Sequence, residues 1–311
     1  MSETYAKEFE GIVAKAKAAQ KPMRVAVAGA EVENILRGVF DAQQDGFVMP
    51  ILVGREHKIR ELLKALGLED RPCEIHGIDK GTNPVQYAIE MIRAGSADAL
   101  LRGNTQTRDF LMPVLNKANH LIREDALVTH VCFLKVPGYD RLLGISDVTL
   151  LINPDMETRK EVVRNLVKAL NVFDVEKPNI ALLSLVEAPS FQMRDTVEDQ
   201  TIVRQHAYRP IADCNLVGPI AYDLIMSKEA ARLKGYDCPY CGEFDGIVVP
   251  NLSTGNVMVK VLQRNAGASG CGILVGARIP IAIASRSDEP EQSYLSLAAC
   301  TAMWASGKYF G

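Results

Sequence analysis

Gly267-Ala268-Ser269-Gly270-Cys271-Gly272-Ile273-Leu274-Val275-Gly276-Ala277-Arg278-Ile279-Pro280-Ile281-Ala282-Ile283-Ala284-Ser285-Arg286-Ser287-Asp288-Glu289-Pro290-Glu291 is the stretch on which the fold turns. It reads as a glycine-punctuated apolar strand, a Gly-Ala-Arg turn, and a second short apolar run that breaks off at Ser285-Arg286. Asp288, Glu289, Pro290 and Glu291 then have the composition of a helix start, since proline suits the first turn and acids complement the positive end of the helix dipole. A hydroxyl and a guanidinium delivered just before a helix N-terminus surround a small volume with hydrogen-bond donors. Such a place suits an anion, and phosphate is the commonest one.

Upstream of this stretch, strands and helices alternate. Strands are expected at 24–29, 48–54, 74–78 and 97–103, with helices up to about 20 and at 32–44, 57–66, 84–94 and 107–118. Near-continuous apolar strands alternating with helices imply a mainly parallel sheet covered on both faces, hence an α/β fold. Between 127 and 152 two apolar runs are separated only by Pro137-Gly138-Tyr139-Asp140, which predicts a hairpin and the start of a second domain. Alternation then resumes, with strands at 180–186, 211–217, 246–250 and 272–275 and helices after Asp155 and at 195–206, 222–233, 255–266 and 291–305. The expected domains are 1–126 with 285–311, and 127–284.

The 311 residues are 48% hydrophobic and 23% charged, with a net charge of -3. Lys and Arg are scattered among acids, so there is no basic stripe of the kind that tracks a nucleic-acid backbone. The acidic start and the lack of an apolar run of bilayer length predict a cytoplasmic protein without a membrane partner. Seven cysteines are present, most within apolar runs where they pack as small hydrophobes. Cys238-Pro239-Tyr240-Cys241 is the exception, a CxxC in a polar loop. A zinc site would need a second ligand pair, and a thioredoxin-like site would need the motif at a helix start after a strand. The loop therefore reads as two thiols without metal or redox function.

Ligands of parallel sheets gather at the carboxyl ends of strands. Three polar loops qualify there: Gly103-Asn104-Thr105-Gln106-Thr107-Arg108, Pro250-Asn251-Leu252-Ser253-Thr254-Gly255-Asn256, and Ser285-Arg286. Each offers backbone amides, hydroxyls or a cation before a helix, the means by which phosphate is cradled without a P-loop lysine, although caps and turns use the same residues. Asn104, Thr105, Thr107, Arg108 and Asn256 are the candidate substrate-binding residues, and Ser285 and Arg286 the candidate catalytic pair. No GxGxxG, GxxxxGK[ST] or GxSxG motif occurs. The five histidines read as structural or surface groups, and Asp98 as a satisfied strand-end carboxylate.

With these loops in view, the chain resembles the phosphate acetyl/butyryl transferase family, and its butyryltransferase branch more closely. The carriers are 50–54, 131–137 with 142–155, 213–219, 249–260 and, above all, Gly276-Ala277-Arg278 through Ser285-Arg286. The resemblance implies reversible exchange of a short acyl group between coenzyme A and phosphate, with coenzyme A as substrate and neither cofactor nor metal. It also implies two α/β/α domains around a cleft, like the isocitrate and isopropylmalate dehydrogenases, and a homodimer built mainly from the second domain. Ser285-Arg286 matches the family's phosphoryl-binding pair, and its general-base position falls on Gln292, which cannot take a proton. Glu291 is the adjacent candidate, with Asp288 second. Where the acetyltransferases place an arginine before Pro-Ala-Leu, this chain has Met112 before Pro113-Val114-Leu115, leaving Arg108 or Arg102 to supply the charge. Cys132 lies near a position that carries cysteine in some members. Two other classes remain open on these residues: a non-catalytic binder of coenzyme A or acyl phosphate, and a metal- and NAD(P)-dependent decarboxylating dehydrogenase.

Overall fold

The structure, a computed structural model, describes residues 7–285 and 288–307. Arg286, one of the candidate catalytic pair, lies outside the described residues. In chain order the α-helices and strands are α1 (Glu10–Lys17), β1 (Met23–Ala28), α2 (Glu33–Gln44), β2 (Val48–Gly54), α3 (Glu56–Leu66), β3 (Glu74–Gly77), α4 (Pro84–Arg93), β4 (Ala99–Arg102) and α5 (Thr107–Leu115). The hairpin β5 (Thr129–Lys135) and β6 (Leu142–Ser146) follows, then α6 (Met156–Val172), β7 (Asn179–Leu183), α7 (Arg194–Tyr208), β8 (Asn215–Ile220), α8 (Tyr222–Met226), α9 (Lys228–Lys234) and β9 (Gly246–Val248). The last elements are α10 (Leu252–Asn265), β10 (Ser269–Val275), β11 (Ile281–Ala282) and α11 (Pro290–Ser306).

Local chemistry sets the element ends. Asn83 caps α4 by accepting from Val85 N at 2.8 Å, with Pro84 opening the helix, and Asp155 caps α6 through Thr158 N. α3 stops at Gly67, whose φ of 67° suits the left-handed C-cap.

The chain divides into two compact units. One comprises the residues up to Ala126 together with those from Gly270 onward, and the other is Leu127–Ser269. In the first unit the strand order is β3-β2-β1-β4-β11-β10, parallel except for the antiparallel pair β10 and β11. Apart from the edge strand β3 its strands are largely buried, Val25, Val27, Leu52 and Leu101 fully so, and each such side chain contributes about 1.5–3 kcal/mol. In the second unit the order is β5-β6-β9-β7-β8, parallel except for the hairpin, over a core that includes Leu134, Ile145, Ala181, Phe244 and Ile247. The chain returns to the first unit at Gly270 rather than at 285, because β10 pairs with β11 and β11 with β4.

Two boundaries differ from the sequence reading for identifiable reasons. The strand expected at 211–217 begins at Asn215, because the Ile211 backbone is engaged by side chains: its N–H donates to His206 Nδ1 and its carbonyl accepts from Arg164 Nε. The helix expected from 255 opens at Leu252, capped by Asn251 Oδ1, which accepts from Thr254 N at 3.0 Å.

Candidate active site

In the first unit β1, β4 and β11 run parallel in register, Val27 opposite Leu101 and Leu101 opposite Ala282. Their carboxyl ends therefore reach one sheet edge, and the loop 103–107 leaves that edge beside the exit toward Ser285. Two glycines allow the β1 and β4 exits to touch. Asn104 N donates to Gly29 O at 2.6 Å and Gly103 N to Ala28 O at 2.9 Å. A Cβ on Gly103 would lie 2.0 Å from Gly29 O, an overlap that excludes any side chain. Arg102 is buried beneath this loop, its guanidinium donating to Thr105 O through Nη2 at 2.8 Å and Nε at 3.2 Å. Arg102 thus shapes the loop, while Asn104, Thr107 and Arg108 stand exposed. Thr105 is buried, and its Oγ1 meets no partner among the described residues.

Beyond β11 the chain makes a tight turn. Ser285 N donates to Asp288 Oδ2 at 2.7 Å, and Asp288 N returns a bond to Ser285 O at 3.0 Å. Asn34, in the first turn of α2, donates from Nδ2 to Asp288 O at 3.0 Å and ties the turn to that helix. Ser285 itself is exposed. Of the two candidate carboxylates, Asp288 is engaged in holding the turn. Glu291 differs: its Oε1 is buried without a hydrogen-bond partner, and burial raises its pKa above the usual carboxylate value. Gln292 Oε1 is likewise buried and unpartnered, so two acceptors at the start of α11 are left unmatched among the described residues. The structure thus gathers Asn104, Thr105, Thr107 and Arg108 in one loop beside the exit that carries Ser285, with Glu291 opening the helix that follows.

Asn256 belongs to the second unit, on α10, where its Nδ2 donates to Val148 O at 3.1 Å. That carbonyl lies in a loop built by a residue not singled out from sequence. Asp147, buried at the end of β6, accepts from Thr149, Leu150 and Leu151 N through Oδ1 and from His130 N through Oδ2. Gly255 packs against the same loop, since a Cβ there would lie 2.6 Å from Asp147 O. Asn256 and Asp147 together fix the chain leaving β6, and an Asp directly after an apolar strand was the available signal. His130 is buried with Nδ1 2.6 Å from Thr149 Oγ1, in accord with a structural role. Asp98 is satisfied as expected: burial raises its pKa, but the hydrogen bonds from Arg24 outweigh burial and hold it below the usual value. Cys132 is buried in the core of its unit.

Among the described residues no group of His, Cys, Asp and Glu is disposed to hold a metal ion, and no helix is long and apolar enough to cross a membrane.

Residues 76–302 match the family described as Phosphate acetyl/butaryl transferase. The chain is 32% identical over 292 residues to the phosphate butyryltransferase of Clostridium acetobutylicum, covering 94% of this chain and 96% of that protein. It is 30% identical over 299 residues to the phosphate acetyltransferase of Rhizobium meliloti, covering 96% and 94% respectively. Among solved structures, a branched-chain phosphotransacylase from Enterococcus faecalis V583 is similar, with a TM-score of 0.77, 26% identity, and coverage of 90% of this chain and 98% of that one. The mixed α/β architecture with mainly parallel strands, the matched family and these relatives agree: the chain belongs to the phosphate acetyl/butyryl transferase family and is an acyltransferase.

Proposed function

We propose that this protein transfers a short acyl group reversibly between coenzyme A and inorganic phosphate, with butyryl preferred to acetyl, in a direct ternary complex. The observation that carries this reading is that the 103–108 loop and the Ser285 exit leave neighbouring parallel strands at one sheet edge, followed by Glu291, half-buried with its Oε1 shut off from any partner among the described residues. Ser285 and Arg286 hold the phosphoryl group of the acyl phosphate, the guanidinium meeting two oxygens and the hydroxyl a third. Asn104, Thr105, Thr107 and Arg108 complete the donors around it. Glu291 accepts the thiol proton of coenzyme A, the thiolate sulfur bonds to the acyl carbon, and the bond to the phosphate oxygen breaks as phosphate departs. The acyl phosphate is already activated, so positioning and charge stabilisation suffice, without cofactor or metal. Family membership and two relatives named as phosphate butyryl- and acetyltransferases support the substrates. The same reading extends to a cytoplasmic homodimer formed through the second unit and to kinship of fold with the isocitrate and isopropylmalate dehydrogenases.

The test is phosphate-dependent release of free thiol from acetyl-, propionyl-, butyryl- and isobutyryl-CoA, without added metal or nicotinamide. Release ranked with butyryl first is expected. Release from none of the four would leave a binding protein, and an acetyl-first ranking would overturn the preference.

A further inference from the structure

The loop from α9 to β9 holds a thiol pair that the acyl transfer does not use. Cys238 and Cys241 close one turn, Cys241 N donating to Cys238 O at 3.4 Å, which sets the two thiols three residues apart on the same turn. The two sulfurs differ in access. Cys241 is 2% exposed within the core of the second unit, whereas Cys238 is half-buried and packs onto that core from outside. Tyr236 and Tyr240 pack beside them. The turn is pinned on every side: Tyr236 N donates to Ala231 O, Glu243 N to Tyr240 O, and Gly242 N to Ile225 O. Tyr139 Oη and Asn179 Nδ2 reach the carbonyls of Phe244 and Glu243 just beyond. The charged groups around the loop, Lys228 with Glu243 and Lys234 with Glu187 and Asp223, are paired with one another. An outer thiol that solvent reaches, sharing a fixed turn with an inner one, is the arrangement of an entry and a resolving cysteine.

We propose that Cys238 and Cys241 form a reversible intramolecular disulfide by exchange with a low-molecular-weight disulfide. The Cys238 sulfur bonds to one sulfur of the small disulfide and releases the other as a thiol. Cys241 sulfur then bonds to Cys238 sulfur and releases the second small thiol, its own proton leaving to solvent. The protein pair is oxidised by two electrons, and the small disulfide is reduced to two thiols. Burial, and then the neighbouring Cys238, push the Cys241 thiol up to about 12, so the second step is the slow one.

The full chain, reduced and then treated with oxidised glutathione, is to be digested with trypsin without reductant and its peptides weighed. Residues 235–260 carry both cysteines and no other between successive cleavage sites. That peptide is expected to lose two hydrogens and to regain them with dithiothreitol. In Cys241→Ser the same peptide should instead keep glutathione on Cys238, and in Cys238→Ser it should stay unmodified. A wild-type peptide left reduced, or one that retains glutathione at Cys238 without resolving it, would overturn the proposal, as would a disulfide to another cysteine. Because the wild-type reading needs no variant, a substitution that impairs folding does not decide the outcome.

Discussion

Glu291 sits where two physical demands meet. Its partial burial, with Oε1 shut off without a hydrogen-bond partner among the described residues, holds the carboxyl toward its neutral form, and a general base works best when its pKa lies near the operating pH. Because the base acts deprotonated, kcat should fall on the acid side through a pKa above the ordinary 4.5, at about tenfold per pH unit below it. Glu291→Gln should abolish that limb and lower kcat far more than it raises KM; an unchanged pH profile of kcat would remove Glu291 from the role. The same shift bears on stability with the opposite sense. A folded pKa above the unfolded one gives a contribution present below pH 4.5 and lost as pH rises through the raised value. Glu291→Gln should therefore melt no lower than wild type at pH 8, which separates loss of the base from damage to the fold. Arg286→Ala belongs to the same scale. Removing the guanidinium proposed to bind the phosphoryl group should cost about a hundredfold or more in kcat/KM for phosphate, and kinetics matching wild type would sink the Ser-Arg site.

At the scale of elements, the contact of the β1 and β4 exits controls the site loop. Gly103→Ala should destabilise the protein by about 1–3 kcal/mol and depress activity, because the added carbon meets the Gly29 carbonyl, a backbone atom that cannot swing away. Gly11→Ala is the matched control: it lies in α1 with nothing within 4 Å of a Cβ, so it should stabilise by about 0.5–1 kcal/mol. If thermal melts place the two variants together, the close approach is not what requires glycine at 103. The elements themselves were legible because strands buried on both faces leave continuous apolar runs, and caps such as Asn83-Pro84 punctuate the helices. What periodicity could not carry were pairings made across the chain. Ile211 has a strand-like sequence, yet His206 and Arg164 take its backbone. Asn256 has the type and place of a ligand-binding amide, and no local pattern records that one of its Nδ2 hydrogens goes to Val148 O. What distinguishes Glu291 from Asp288, an Oε1 shut off without a partner among the described residues against a carboxylate bonded to Ser285 N, likewise depends on neighbours that no local pattern records.

For the whole molecule, the division into units follows from strand pairing more than from composition. The hairpin at 127–152 announced the first crossing, because two apolar runs joined by so short a link cannot be a βα step. The return was harder to read, since β10 looks like one more strand of the second unit until β11 turns back on it and pairs with β4. One consequence is an asymmetry in chain connectivity: the first unit is made of two segments, whereas Leu127–Ser269 is continuous and has its own core. The continuous unit should therefore be autonomous. Expressed alone, Leu127–Ser269 is expected to give a single cooperative thermal transition with near-ultraviolet dichroism, the sign of fixed packing, and to release no thiol from butyryl-CoA with phosphate. Its inactivity would follow because Ser285 and Glu291 lie in the other unit and the isolated segment ends before Arg286. A broad, non-cooperative melt would show that its core depends on the rest of the chain, and thiol release from the isolated piece would move the chemistry away from the Ser285 edge.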